Sequence, residues 1–283
     1  MQALYDVPAP AKLNLFLHIT GQRSDGYHLL QSVFMLIDWC DTLHFERRAG
    51  SDLSREDLTD PLPKDDLILR AARALQQATG CTLGAHISVH KRIPAQAGMG
   101  GGSSDAATAL MALNRFWNLN LQWPELRHIA LGLGADVPFF LCGRSAWVEG
   151  IGDIITPLEN AWQLPEARFV VVKPEAGLET KEIFSSPLLK RDSDSATISG
   201  FAAAHYDFGR NDLQNVAQAL CPEVQKAIEW LATHGMHGRM TGSGSAVFAP
   251  MPQAVDLSHI PSGWKVRVCK NLAVHPLEDW FAR

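Results

Sequence analysis

Four glycines within five positions form the stretch that most constrains this chain, Gly98 to Ser104, which we call the glycine loop. Before it, residues 85–93 alternate apolar and polar side chains and stop at Pro94, which predicts a strand. After it, residues 105–118 are rich in helix formers with apolar residues at helical spacing. Backbone N–H groups at a helix start are unpaired and lie at the positive end of the helix dipole. The loop therefore predicts a phosphate site.

The two commonest phosphate motifs fit the glycine loop poorly. A P-loop requires a lysine directly after its last glycine, and none follows here. A dinucleotide-binding fold places an acidic residue about 20 positions beyond its glycines, and Gln122 stands there. Ser103 and Ser104 add hydroxyls that can donate to phosphate oxygens or help hold a metal. A flexible loop capped by a serine is the structural alternative.

Hydrophobic periodicity predicts further elements around the glycine loop. Residues 11–19 alternate, so that one strand face carries Leu13, Leu15, Leu17 and Ile19 and the other carries Lys12, Asn14, Phe16 and His18. Asp65 is the predicted N-cap of a helix that runs from residue 67 to Gly80. A helix over residues 124–134, with Pro124 at its first position, leads into a tight connection at Asp136.

The pattern along the chain predicts an α+β fold in two domains, residues 1–160 and 161–283. A hairpin over residues 145–158 precedes the linker-like stretch 159–165. Beyond it we expect strands at 168–174 and 264–270, a helix at 222–235, and a second glycine cluster at 241–245 that leads into a strand. Asn211 and Asp212 are predicted to be helix caps.

Composition and charge exclude several classes of protein. The 283 residues are 46% hydrophobic and 19% charged, with a net charge of −5 and no basic stripe, which argues against a nucleic-acid partner. Five scattered cysteines form neither a disulfide framework nor a zinc motif. No segment has the length of a membrane span or the pattern of a signal peptide, so we expect a cytoplasmic protein.

The string PAQAGMGGGSSDAA, from Pro94 to Ala107, resembles the ATP loop of the GHMP kinases, which are named for galactokinase, homoserine, mevalonate and phosphomevalonate kinases. Two further segments match in the same order, the strand with Lys12 and Asn14 and the second glycine cluster. The resemblance implies a ribosomal S5 domain 2-like ATP-binding domain followed by a ferredoxin-like α/β domain that contributes to the substrate site. It assigns ATP to Pro94, Gly98, Gly100, Gly101, Gly102, Ser103, Ser104 and Asp66.

Within that family, AKLNLFLHITGQRSDGYHLLQSVF and LGLGADVPFFL resemble the members that phosphorylate a polyol linked to cytidine diphosphate. This implies Asp136 as the catalytic base, Lys12 as its basic partner, and Mg²⁺ as the companion of ATP. The metal would be held mainly by ATP and water. The substrate contacts implied are Asn14, Tyr27, His28, Phe34, Thr180, Phe184 and Gly242.

Some residues depart from the family pattern. Gln96 and Ala97 stand where glycine is common, and Asp66 stands where an adenine-contacting asparagine is usual. A carboxylate cannot donate a hydrogen bond as an amide does. Three other functions stay open: a GHMP kinase for another alcohol such as homoserine or mevalonate, a non-catalytic nucleotide sensor, and an NAD-dependent oxidoreductase. No obligate protein partner is predicted.

Overall fold

The chain folds around two sheets that are mainly antiparallel. The computed structural model describes residues 2–251, 254–257 and 259–280. The first sheet contains β1 (Ala3–Gln22), β2 (His28–Arg48), β3 (Leu53–Asp57), β4 (Gly84–His90), β5 (Ala146–Glu149) and β6 (Ile154–Pro157). The second contains β7 (Arg168–Lys173), β8 (Arg239–Met240), β9 (Val247–Pro250) and β10 (Lys265–Lys270).

Eight α-helices lie within the described residues: α1 (Leu67–Thr79), α2 (Gly101–Phe116), α3 (Trp123–Leu131), α4 (Val137–Cys142), α5 (Thr180–Ser185), α6 (Ile198–Ala204), α7 (Gln214–Leu220) and α8 (Pro222–Thr233). In the first sheet β2 pairs with β1, β4 and β5, and β3 runs parallel to β4. The second sheet has the order β10-β7-β9-β8. The predicted α+β class is confirmed.

Three hydrophobic clusters stack the molecule in layers. The first cluster packs the four helices α1, α2, α3 and α4 on the first sheet, and the third packs α7 and α8 on the second sheet. The middle cluster lies between the sheets and includes Leu13, Met35, Phe169 and Phe248. Because strands of both sheets share this cluster, the division at residue 160 stays a prediction, although it falls between β6 and β7.

The predicted alternation along residues 11–19 is only partly correct. Lys12 and Asn14 share a face, as expected, and their side chains are 2.6 Å apart. Phe16, predicted on that polar face, instead packs in the apolar cluster between the sheets beside Leu15. A register shift between Asn14 and Leu17 is the cause, since one irregular residue reverses the faces that follow it.

The predicted helices are present, and α1 and α8 begin at Leu67 and Pro222 as expected. Asp66, rather than Asp65, caps α1, because its carboxylate accepts the Leu69 N–H at 3.1 Å. Gly80 ends α1 in the left-handed conformation, as predicted. In α3, Pro124 is the second residue rather than the first, because the helix begins at Trp123.

Two further differences surround the glycine loop. The strand predicted to reach residue 93 ends at His90, because the N–H groups of Arg92 and Ile93 turn to the Asp41 carboxylate. The short helix α4 was not predicted, since six residues are too few to show a helical period. No helix in the described part of the chain is long and apolar enough to cross a membrane.

Candidate active site

A cavity of about 800 Å³ lies where the glycine loop faces β1, α5 and the second glycine cluster. Many of the predicted site residues line it: Lys12, Asn14, Phe34, Asp66, Pro94, Gly98, Gly100, Gly101, Gly102, Asp136, Thr180, Phe184 and Gly242. They come from segments that are far apart in the sequence. The fold therefore gathers most of the expected nucleotide and substrate residues around one opening.

Lys12 is a buried residue of the cavity lining and has polar neighbours on three sides. Its ammonium donates to the Asn14 side-chain oxygen at 2.6 Å and to the Gly98 carbonyl at 3.0 Å. The third side faces the Asp136 carboxylate, 3.7 Å away. Burial lowers the pKa of Lys12, and the nearby Asp136 carboxylate opposes that shift. Phe34 closes the remaining side, with its ring centre 4.8 Å from the ammonium.

Asp136 stands at the start of α4, in the tight connection that the sequence predicts. Its side chain does not cap that helix and is 31% exposed, so the carboxylate can reach a ligand in the cavity. Asp136 lies within a turn over residues 134–137, which is closed by a hydrogen bond of 3.2 Å from the Val137 N–H to the Gly134 carbonyl. The local structure thus directs the carboxylate by a turn and leaves its oxygens available.

The two glycine clusters interlock behind Lys12. Gly98 has a φ of 70°, and a Cβ there would overlap the Thr241 carbonyl. Gly242 has a φ of 53°, and a Cβ there would lie 2.6 Å from the Gly98 carbonyl oxygen. Glycine is required at both positions for conformation and for space. Asn14 joins the same contact, since its N–H donates to the Thr241 hydroxyl at 2.8 Å.

The glycine loop ends in the N-terminus of α2, as a phosphate site requires. Gly100 is left-handed, with a φ of 71°, and α2 begins at the next residue, so Ser103 and Ser104 lie inside the first turn. The Ser104 hydroxyl is buried and donates to the Pro10 carbonyl at 2.6 Å. This hydroxyl holds β1 against α2 and is already engaged, whereas Ser103 is half-buried.

A buried charge cluster, missed from the sequence, supports the loop from the nucleotide side. The ammonium of Lys91 bridges the carboxylates of Asp41 and Asp105. Burial lowers the pKa of Lys91, but the two carboxylates outweigh it and raise that pKa. Burial raises the pKa of Asp105, Lys91 opposes that shift, and the neighbouring Asp41 carboxylate adds to it. The one sequence signal was an aspartate directly after the two loop serines.

Asp66 has a partner that offsets its charge. Its carboxylate accepts the Leu69 N–H and also pairs with the Arg55 guanidinium at 2.7 Å. Arg55 binds Asp57 as well, through two hydrogen bonds of 2.6 and 3.0 Å. At the position where an asparagine was expected, the structure therefore holds a buried ion pair that reaches the cavity wall.

The opposite end of the cavity is built from side chains. Thr180 begins α5, and its hydroxyl lies 2.8 Å from that of Ser243 in the second glycine cluster. Phe184 packs on the ring of His28, with centroids 5.1 Å apart. Tyr27 is 60% exposed and does not line the cavity. Of these predicted substrate contacts, Tyr27 therefore lies outside the cavity lining, and His28 lies at the rim, against the lining residue Phe184.

Gln96 links the two ends directly. It adopts a left-handed φ of 50°, which is uncommon for a residue with a side chain. Its amide donates to the Glu179 carboxylate at 2.8 Å, and a Cβ on Gly177 would overlap its side-chain oxygen. The glutamine that replaces glycine at this position therefore forms a contact across the cavity, from the segment just before the glycine loop to the residue before α5.

Asn211 and Asp212, predicted to be helix caps, are not the N-cap residue of α7, although the Asn211 side chain accepts the Leu213 N–H at 3.0 Å just before that helix. Leu213 precedes α7 as its N-cap. Asn211 donates from its amide to the carbonyls of Met240 and Gly242, both at 2.8 Å. Asp212 accepts the Ile19 N–H at 2.8 Å. These contacts fix the second glycine cluster against β1. No local sequence pattern predicts them.

The known proteins to which this chain is similar belong to one family. Residues 66–144 match the GHMP kinases N terminal domain, and residues 190–264 match the GHMP kinases C terminal domain. A 4-diphosphocytidyl-2-C-methyl-D-erythritol kinase of Acidovorax sp. is 71% identical over 280 residues, covering 99% of each chain. The kinase of the same name from Delftia acidovorans is 70% identical, covering 99% of this chain and 98% of the other.

Solved structures agree with this result. A crystal structure of 4-(cytidine 5'-diphospho)-2C-methyl-D-erythritol kinase superposes with a TM-score of 0.78 at 30% identity, covering 93% of this chain and 98% of the other. Homoserine kinase from Cytophaga hutchinsonii shares the fold, with a TM-score of 0.70 at 14% identity over 97% and 96% of the chains. The chain belongs to the 4-diphosphocytidyl-2-C-methyl-D-erythritol kinase family, within the GHMP kinases.

Proposed function

We propose that this protein transfers the γ-phosphoryl group of ATP to the 2-hydroxyl of 4-diphosphocytidyl-2-C-methyl-D-erythritol, a step of the non-mevalonate route to isoprenoid precursors. The observation that carries the proposal is the Lys12 and Asp136 pair, 3.7 Å apart between the glycine loop and the substrate end of the same cavity. A base and a cation so placed suit an in-line transfer between two ligands.

Asp136 is the proposed general base. Its exposed carboxylate would accept the proton of the substrate hydroxyl as that oxygen attacks the γ-phosphorus. The oxygen–phosphorus bond to the acceptor forms as the bond to the leaving ADP breaks. Positioning supplies most of the catalysis in such a transfer, because the phosphoryl group needs little covalent chemistry from the protein.

Lys12 is the proposed electrostatic partner. Its ammonium donates to Asn14 and Gly98 and lies 3.7 Å from the Asp136 carboxylate, so it is oriented before any ligand arrives. Within a buried site a fixed cation stabilises developing negative charge without reorganisation. It would stabilise the charge on the phosphoryl group during transfer.

The glycine loop and the N-terminus of α2 are the proposed triphosphate site. The cavity lining carries three lysines, Lys12, Lys91 and Lys181, against five carboxylates, those of Asp65, Asp66, Asp105, Asp136 and Glu179. In the described residues, no group of three or more His, Cys, Asp or Glu side chains is arranged to hold a metal ion. A triphosphate entering this cavity would therefore bring Mg²⁺ on its own oxygens.

The substrate end suits the cytidine diphosphate portion. Thr180, Asn14 and Gly242 line the cavity and are the proposed contacts of the diphosphate and polyol. Phe184 and His28 offer an aromatic face and an imidazole to a flat base. A cytoplasmic location is part of the proposal, and it is supported by five cysteines, all in described residues, that form no disulfide.

A coupled assay of ADP release tests the proposal. The purified protein would be given ATP and Mg²⁺ with 4-diphosphocytidyl-2-C-methyl-D-erythritol, with the same polyol lacking the cytidine diphosphate group, and with homoserine or mevalonate. We expect rapid ADP release with the first alcohol alone. Preference for homoserine or mevalonate would favour another GHMP kinase activity, and nucleotide binding without ADP release would favour a sensor.

A further inference from the structure

Arg191 connects the rim residue His28 to the segment that follows α5. Its Nε donates to His28 Nε2 at 2.9 Å. Its two terminal nitrogens donate to the carbonyls of Leu189 at 2.9 Å, Phe184 at 3.2 Å and Ser186 at 2.9 Å. One guanidinium thus ties the start of β2 to both the cavity-lining Phe184 and the chain beyond it.

The chemistry of this contact fixes the state of His28. A guanidinium is permanently protonated and can only donate hydrogen bonds. The nitrogen that receives its N–H, Nε2, must therefore present a lone pair. A neutral imidazole with a lone pair on Nε2 carries its proton on Nδ1. Burial lowers the pKa of His28, and the Arg191 charge lowers it further, so the ring is neutral near pH 7.

The remaining ring nitrogen is available to a ligand. Among the residues that the structure describes, Nδ1 of His28 has no hydrogen-bond partner. Phe184 lies against the same ring at an interplanar angle of 40° and also lines the cavity. Arg191 binds the carbonyl of that phenylalanine, so it restrains the imidazole and its aromatic neighbour together.

We propose that Arg191 is a positioning residue for base recognition, which holds His28 as an Nδ1–H donor and thereby selects cytosine over uracil. The proposal rests on the proposed function. Cytosine has a lone pair on its ring N3, which can accept from such a donor. Uracil has a hydrogen at N3, so the same approach sets two donors against each other, and an unpaired buried donor is costly.

Nitrogen-15 NMR of the labelled full-length protein tests the first half of this proposal. A His28→Gln variant assigns the His28 signals among the eleven histidines of the chain. The wild-type protein at pH 7 should show a protonated Nδ1 and an unprotonated Nε2. Arg191→Met, which has no donor, should populate the Nε2–H form, whereas Arg191→Lys keeps a donor and should keep the wild-type pattern. A wild-type Nε2–H signal would overturn the proposal.

Kinetics test the second half with the cytidine substrate and its uridine analogue. Arg191→Met should raise the KM for the cytidine substrate about 10- to 100-fold, the loss of one or two hydrogen bonds, with the KM for ATP unchanged within twofold. Its preference for cytidine over uridine should fall by a similar factor. Arg191→Lys should retain most of that preference. Equal losses in both variants would mean that Arg191 only holds the chain after α5.

Combination with His28→Gln separates direct from indirect action. If Arg191 acts through His28, Arg191→Met should add little to the effect of His28→Gln, whereas additive effects would refute the mechanism. Failure of the wild-type protein to phosphorylate either substrate would refute the proposed function and the specificity together. Normal wild-type turnover with unaltered base preference in Arg191→Met would refute the role of Arg191 alone. If Arg191→Met does not fold, the wild-type spectrum and Arg191→Lys still decide.

Discussion

The two ends of the cavity are built in opposite ways. The proposed nucleotide end presents backbone groups, those of left-handed glycines and of the start of α2, and a buried cluster of charged side chains supports them from beneath. The substrate end consists of side chains from separate segments, such as His28 and Phe184, held at the rim by Arg191. A backbone site is fixed by conformation and serves any triphosphate, whereas a side-chain site can be changed to select the alcohol. The comparison predicts different responses to mutation at the two ends.

The largest effect on stability should come from the charge cluster under the nucleotide end. Lys91→Met leaves the carboxylates of Asp41 and Asp105 buried without their cation, which should cost about 3–5 kcal/mol. Arg73→Met is the matched control, because it breaks an exposed pair with Asp65 and should cost at most about 1 kcal/mol. Urea unfolding measures both variants, and equal costs would show that the cluster does not support the fold.

The same cluster should give the protein a pH-dependent stability. The pKa of Asp105 is raised to about 8, mainly by burial. A raised folded pKa adds stability that is fully present below the unfolded value and is lost as pH rises through the folded value. Wild type should therefore lose stability relative to Asp105→Asn between pH 5 and pH 8, by an upper bound of about 4 kcal/mol. Parallel melting curves of the two proteins against pH would contradict this.

The interlocked glycines should tolerate no side chain. Gly98→Ala imposes a left-handed alanine and a clash with the Thr241 carbonyl, which together should cost about 2–4 kcal/mol and weaken ATP binding. Gly80→Ala is the matched control, since Gly80 has a φ of 67° with nothing within 4 Å of a Cβ. It should cost about 1 kcal/mol and leave ATP affinity unchanged. Thermal melts measure the stability of both variants, and nucleotide titration measures their affinity for ATP. Gly80→Ala shows the cost of the left-handed conformation alone, and the further loss in Gly98→Ala is the cost of the clash.

The smallest effect should come from the contact that joins the two ends. Gln96→Gly removes a left-handed side chain and one hydrogen bond to Glu179, so stability should change by less than about 1 kcal/mol. The two ends should bind more independently, with the mutual effect of ATP and substrate on affinity reduced about two- to fivefold. Glu179→Gln keeps the acceptor and is the control. Unchanged coupling in Gln96→Gly would show that the contact carries no communication.

The same contrast explains what the sequence could predict. The glycine loop, its flanking strand and helix, and α1 follow from local patterns, because backbone conformation and helical period leave a contiguous signal. The charge cluster of Lys91, Asp41 and Asp105 joins residues up to 64 positions apart, and no local pattern announces it. The bulge in β1 that moves Phe16 into the core also depends on tertiary packing.

The residues of the substrate end were predicted from the family resemblance, and hydrophobic periodicity and local motifs did not indicate them. A Tyr-His dipeptide or a lone phenylalanine has no periodic or conformational signature, and residues such as Arg191 gain their roles when the chain after α5 meets β2. Tyr27, expected to contact the substrate, is exposed and does not line the cavity. Side-chain sites assembled from distant segments are therefore the part of an active site that is hardest to predict from sequence.

The most direct test of phosphoryl transfer at the Lys12 and Asp136 pair is the single-turnover rate of Asp136→Asn with ATP and the cytidine substrate. We expect a rate about 10²–10⁴-fold below wild type, with ATP affinity nearly unchanged. Asp65→Asn, another cavity-lining aspartate, should keep the wild-type rate. An undiminished rate in Asp136→Asn would contradict the assignment of the catalytic base and with it the mechanism.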